Sequence, residues 1–263
     1  MIKQAGRLGL EQFLERGQLL TGPFNQIKVK FSPKEQELSE KILSMINLDW
    51  QKHLENYPSD FDGEMASIVR IDKNNEDIII ETRKSSFSAF FSLRKTRGDI
   101  LDINNPVLDK DNCIPLSIGA VSVTTDDMLI VAIRGNTAFD EKVVTFLPGG
   151  YLDPTEDIDY DGDISVPHCI RRELQEEIGI NDYQELTFLG VVHSSDASKQ
   201  PLIAARLRLP ISSKDIGSNL KSDPEIYEFH IIRNNIDDVA EFLKGKMIAI
   251  HDAWKIILHF TFQ

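Results

Sequence analysis

The stretch Pro148–Ile180, PGGYLDPTEDIDYDGDISVPHCIRRELQEEIGI, decides how this chain is read. Its second half places Glu173, Glu176 and Glu177 within five consecutive positions. Apolar Ile170, Leu174 and Ile178 recur every four residues and Gly179 supplies a stop, so the spacing predicts a helix. On a regular helix the three acids stand at i, i+3 and i+4 and project from one face. Like charges so placed repel, and a divalent cation that neutralises them explains their presence better than a structural role does. Hard carboxylate oxygens without a matching His or Cys cluster suit Mg²⁺ or Mn²⁺ rather than zinc.

On these residues the sequence resembles the Nudix hydrolases, whose box reads G-x5-E-x7-R-E-U-x-E-E-x-G-U with U a bulky apolar residue. Gly150 and Glu156 match the first part, and Arg172 through Ile180 match every specified position of the second. The departure lies between them: fifteen residues separate Glu156 from Arg172 where the family has seven, leaving Asp157–Ile164 (DIDYDGDI) as an eight-residue insertion. The plain alternative is a surface helix with a solvated acidic face.

The resemblance implies an α/β fold, a Nudix-type α/β/α sandwich, over residues 113–263. Before it, residues 1–112 read as a small α+β module of unknown role, with a linker at Lys95–Asn112 rich in Asp, Asn, Gly and Pro. Carried over position by position, the resemblance makes Glu173 and Glu177 the principal metal ligands and Glu176 a ligand to a second ion. Glu156 becomes a further, water-mediated ligand, and a carbonyl near Gly149 joins them. Arg172 becomes an orienting salt-bridge partner, to Glu156. The general base is a box glutamate or a carboxylate on a distant loop; Glu225 is the first distal candidate, followed by Glu228 and Asp196.

A net charge of -13 over 263 residues argues against nucleic acid as the main partner. It also requires the metal and local Arg or Lys residues to reverse the field for a polyanionic substrate. The two cysteines, Cys113 and Cys169, offer no disulfide framework, and a reducing cytoplasm is the expected home. No apolar run approaches a membrane span.

Around the box the chain reads as follows. Leu8, Leu10, Phe13, Leu14, Leu19 and Leu20 line a short helix ended by Gly22-Pro23. Ser32-Pro33-Lys34-Glu35 reads as a capped helix start, continued by Leu38, Ile42, Met45 and Ile46. Ala66–Ile71 and Asp77–Arg83 read as strands, as do Ile118–Thr124, Met128–Arg134, Val143–Leu147, Phe188–His193, Ile203–Leu209 and Ile226–Ile232. Ile236–Leu243 and His251–Phe260 read as helices. Phe87, Phe90 and Phe91 stand at helical spacing; such a cluster is most often core, and a base-stacking platform is the sharper reading.

Within the insertion, Asp157-x-Asp159-x-Asp161-Gly162 reproduces the first half of a calcium-binding EF-hand loop. Its twelfth position is His168, where that loop needs a bidentate Glu, and a flexible acidic loop is the plainer reading. His168 itself reads as a helix-surface residue.

The resemblance implies a metal-dependent pyrophosphohydrolase acting on a nucleotide-containing small molecule, with nucleotide sugars or ADP-ribose favoured and adenine dinucleotides next. A homodimer is compatible with it. The competing class is a non-catalytic nucleotide-sensing module.

Overall fold

A computed structural model describes residues 19–35, 37–74, 77–96, 113–135, 143–193, 201–216, 226–246, 250 and 252–262. In chain order the elements are β1 (Leu19–Phe24), β2 (Gln26–Glu35), α1 (Glu40–Asn56), β3 (Glu64–Asn74), β4 (Asp77–Ser86) and α2 (Phe87–Thr96). There follow β5 (Ser117–Val123), β6 (Met128–Arg134), β7 (Val144–Phe146), β8 (Gly149–Tyr151) and α3 (Val166–Glu173), which runs into a π-helical turn at Leu174–Ile178. The remainder is β9 (Glu185–His193), β10 (Pro201–Arg208), α4 (Ser213–Ile216), β11 (Ile226–Arg233), α5 (Ile236–Lys246) and α6 (Asp252–Thr261).

These elements fold as two compact units, one taking Met1–Phe24, Ile118–Gly150 and Ile170–Gln263, the other Asn25–Ser117 and Tyr151–Cys169. The first unit is built on an eight-stranded sheet, in which β1, β9, β10, β5, β6 and β11 are neighbours in that order, while β7 pairs with β6 and β8 with β5. Strand β5 is buried along its whole length and β6 at all but its end residues, as expected for a sheet covered on both faces. Val121, Val131, Phe146, Trp254 and Ile257 belong to its core, to which α5 adds Val239.

The second unit holds a three-stranded sheet in the order β2–β4–β3, with β2 parallel and β3 antiparallel to β4. Ile27, Val29, Ile78 and Ile80 turn inward from it and are almost fully buried. Helices α1 and α2 supply Ile46, Ala89, Phe90 and Leu93 to a cluster with Met65 and Cys113.

Strands β3 to β7, β9, β10 and β11, and helices α2, α5 and α6, stand where periodicity puts them, with shifted ends. Two expectations are corrected. Ser32–Glu35 starts no helix: it ends β2, where Ser32 pairs with Arg83 and Glu35 with Lys84, and the helix begins at Glu40 after Ser39. The alternation of Ile27 and Val29 against Lys28 and Lys30, a period of two, outweighs the local capping pattern. Leu19 and Leu20 form no helix but pair with Val192 and Val191 in β1, with an irregularity between Thr21 and Phe24 that accommodates Gly22-Pro23 on a sheet edge. The other residues of that expected helix, Leu8 to Leu14, lie outside the described residues, as do residues 97–112 of the expected linker.

The aromatic cluster follows the plainer of its two readings. Phe90 and Phe91 are 3% and 6% exposed, and Phe87 is half-buried beside Trp50, so these rings are core rather than a stacking platform. Phe91 lies 4.3 Å from the ring of His53, which is itself buried and accepts or donates a 2.7 Å hydrogen bond with Asp60.

Candidate active site

The Nudix-like acids begin on α3, whose inner face sets their direction. Ile170, Leu174 and Ile178 are fully buried, as their four-residue recurrence predicts. Gly179 closes the element in the left-handed conformation, φ 79°, and its N–H donates to Leu174 O, five residues back. The helix does not stay α-helical to that point, however. Its last turn, Leu174–Ile178, is wound as a π-turn, so the regular i, i+3, i+4 face expected for the three acids is distorted where Glu176 and Glu177 lie.

The result is an uneven triad. Glu173 is buried at 8% exposure, Glu177 is half-buried, and the Glu176 side chain is 55% exposed. Arg172 lies between two of them: Nη1 donates to Glu173 Oε1 at 2.8 Å and reaches Glu176 Oε2 at 3.3 Å. That guanidinium offsets the like-charge repulsion along the helix.

Opposite the acids stands the glycine strand. Strand β8 is held to β5, and Ala120 N–H donates to Pro148 O at 2.9 Å while Ser122 Oγ donates to Leu147 O at 2.6 Å. With the backbone so fixed, Gly149 N–H donates to Glu177 Oε2 at 3.0 Å. A β-carbon on Gly150 would fall 1.9 Å from Glu173 Oε1, so only glycine lets the buried carboxylate lie against this strand. At Gly149 the nearest atoms to such a carbon are 3.7 Å away, an ordinary contact. Sequence reasoning named Gly149 as backbone near an ion and missed that Gly150 is the seat of Glu173; the Gly-Gly pair before an acidic helix is the signal.

Glu156 sits in a turn of the second unit built on Asp153, whose Oδ1 accepts from Thr155 N–H, Thr155 Oγ1 and Glu156 N–H at 2.6, 2.6 and 3.3 Å. Asp-Pro-Thr is a readable turn signature, yet Asp153 escaped the sequence reading. The inserted segment is an ordered hairpin rather than a flexible loop: Ile158 and Ile164 bridge, Gly162 turns with φ 84°, and Asp157 and Ile164 are 1% and 3% exposed. His168 is exposed on α3, as expected.

Of the distal base candidates, Glu225 and Asp196 lie outside the described residues. Glu228, on β11, accepts from Lys246 Nζ at 3.2 and 3.3 Å, and chiefly that lysine holds its carboxyl below the usual carboxylate range. A carboxylate so held is a poor proton acceptor.

Among the described residues no group of three or more His, Cys, Asp or Glu side chains converges as a metal cage. The donor chemistry nonetheless fits a hard divalent ion: Glu173 and Glu177 offer carboxylate oxygens side by side along one glycine strand, with Glu176 joined through Arg172. No helix among the described residues is long and apolar enough to cross a membrane.

The NUDIX domain matches residues 114–230 of the chain. Among solved structures, the chain is similar to the MutT protein from Methanosarcina mazei Go1, at 15% identity over 56% of this chain and 91% of that one, TM-score 0.37. It is also similar to DR0079 from Deinococcus radiodurans, at 11% identity over 63% and 98%, TM-score 0.41. The E. coli ORF135 protein matches at 16% identity over 56% and 88%, TM-score 0.36. No curated protein matches the sequence. The domain implies hydrolysis of nucleoside diphosphate derivatives and a nucleotide-containing small-molecule substrate, and Nudix hydrolases generally use divalent metal ions. Residues 114–230, which carry the glycine strand and the acidic helix described above, are thus a NUDIX domain, the domain of hydrolases that act on phosphoric anhydrides.

Proposed function

We propose that this protein is a Mg²⁺- or Mn²⁺-dependent pyrophosphohydrolase cleaving a nucleoside diphosphate linked to a second moiety, with nucleotide sugars or ADP-ribose as the substrate class. The observation that carries the reading is the apposition of Glu173 and Glu177 to Gly150 and Gly149. Glu173, Glu176 and Glu177 would hold the ion, Glu156 would add a further ligand, and the backbone at Gly149 would approach it. The ion supplies water activation and neutralisation of phosphate charge.

The chain's own residues supply the rest. The buried side of α3 and the fixed glycine strand keep two carboxylates rigid, which favours catalysis over a loop-borne arrangement. Arg172 is a cation placed among the acids and keeps Glu173 and Glu176 oriented. A box glutamate, Glu173 or Glu177, or the distal Glu225 would accept the proton from attacking water. The products would be a nucleoside monophosphate and a phosphorylated partner.

The test is phosphate release, after phosphatase treatment, across nucleotide sugars, ADP-ribose, adenine dinucleotides and nucleoside triphosphates, with and without Mg²⁺. A metal-dependent hit on nucleotide sugars or ADP-ribose supports the reading. Turnover of dinucleotides alone would move the substrate class, and silence in folded protein would favour a sensing module.

A further inference from the structure

The insertion Asp157–Ile164 offers the loop's carboxylates to its own backbone. Asp157 Oδ2 accepts from Asp153 N–H at 2.9 Å, and Asp159 Oδ1 accepts from Asp161 N–H and Asp163 N–H at 2.9 and 3.1 Å. A calcium loop would aim those oxygens at an ion instead. What the hairpin does is visible at its far end. Ile164 N–H donates to Val29 O at 3.0 Å, in an antiparallel bridge, and Asp163 Oδ1 accepts from Phe31 N–H at 3.1 Å. Val29 and Phe31 are two residues apart on β2, the end strand of the order β2–β4–β3, so the hairpin takes up groups of an otherwise open sheet edge.

At its near end the same hairpin grips the turn that carries Glu156. Asp157 N–H donates to Asp153 O at 2.9 Å while its carboxylate accepts from Asp153 N–H, a reciprocal pair, and Ser165 N–H donates to Asp157 O at 2.7 Å. Asp157 is 1% exposed and Ile164 3%, so each grip has a buried residue at its centre, while the Asp163–Phe31 bond is partly buried. A carboxylate is buried this far only where its hydrogen bonds repay desolvation.

We propose that Asp157–Ile164 is a fastening hairpin that fixes the Glu156 turn to the edge of β2, with Asp157 and Asp163 as its positioning residues. The proposal rests on the reading of Glu156 as an acid of the Nudix box. It makes the three-stranded sheet the support of a loop that the family's usual spacing would leave eight residues shorter.

Native-state amide exchange of the unmodified protein in increasing urea tests the proposal without any variant. The amides of Phe31, Asp157 and Ile164 should open as one unit, with a common urea dependence. Exchange of Asp157 through a separate, easier opening would overturn it. Asp163→Ala removes the acceptor at Phe31, and exchange at both Phe31 and Asp157 should quicken roughly tenfold, the loss expected for one charge-assisted hydrogen bond. With a substrate in hand, kcat should fall several-fold at unchanged KM, and Asp163→Asn, which keeps an acceptor oxygen, should restore it. A change confined to Phe31 would contradict the fastening, as would Ca²⁺-induced protection of the Asp159–Asp163 amides. Exchange is read without turnover, so a protein inert on every substrate whose three amides open together would overturn the hydrolase reading and leave the hairpin's role standing.

Discussion

The carboxylate of Glu173 lies against the backbone of Gly150, so close that a β-carbon on the glycine would stand 1.9 Å from Oε1 and 2.2 Å from Cδ. The neighbouring glycine is different in kind: Gly149 has room for a methyl group and contributes its N–H to Glu177.

That difference yields a paired prediction. Gly150→Ala must push a buried carboxylate out of place and should lower stability by about 1–3 kcal/mol, the usual range for overpacking. Gly149→Ala keeps its N–H and meets nothing closer than 3.7 Å, so its stability should stay within a few tenths of a kcal/mol of the parent's. Urea unfolding of the two variants side by side is the check; equal losses would mean that the strand and helix do not meet as described.

Arg172→Ala leaves Glu173 buried beside Glu176 and Glu177 without its guanidinium. The Arg172 and Glu173 side chains are 19% and 11% exposed, between a surface pair and a fully buried one, so the expected loss is about 1–3 kcal/mol. Mn²⁺ should recover part of that loss, because it supplies the missing positive charge. Thermal melts in chelator and in Mn²⁺ measure both numbers.

Phe90→Ala addresses the aromatic cluster. The ring is 3% exposed and lies 6.2 Å from Phe87 and 6.1 Å from Tyr151, centre to centre. Its removal should cost about 3–5 kcal/mol. A base-stacking residue would instead raise KM at little cost in stability, and chemical denaturation together with substrate kinetics separates the outcomes.

Burial pushes the Cys113 thiol up to about 11, against the pull of its hydrogen bond with Ser85. The folded state therefore favours the neutral thiol. Its contribution is fully present below the thiol's unfolded value, about 8.5, and is lost as pH rises from there through about 11. The urea midpoint should fall over that window in the parent protein, and fall less in Cys113→Ala.

How much of this was legible beforehand depended on how local the determinant is. The strands of the large sheet and the burial of Ile170, Leu174 and Ile178 follow from apolar periodicity within single segments. Ser32–Glu35 did not, because a capping pattern is local whereas the pairing of Ser32 with Arg83 is long-range. The acids were named from spacing, but their inequality was not: it depends on a π-turn that no residue pattern announced and on a strand more than twenty residues away. The insertion looked flexible because it is acidic; Asp157 and Asp163 are instead partners of backbone amides in Asp153 and Phe31.

Mn²⁺ binding to the parent and to Glu177→Gln, followed by calorimetry or by the spin signal of free ion, tests the central claim most directly. The side-chain amide introduced at this position keeps an oxygen for Gly149 N–H, so the fold should persist with a melting temperature near the parent's. Loss of one charged ligand should weaken binding by roughly an order of magnitude or more, and hydrolysis should fall with it. A folded variant that binds Mn²⁺ as tightly as the parent would contradict the assignment of Glu173 and Glu177 as the heart of the site.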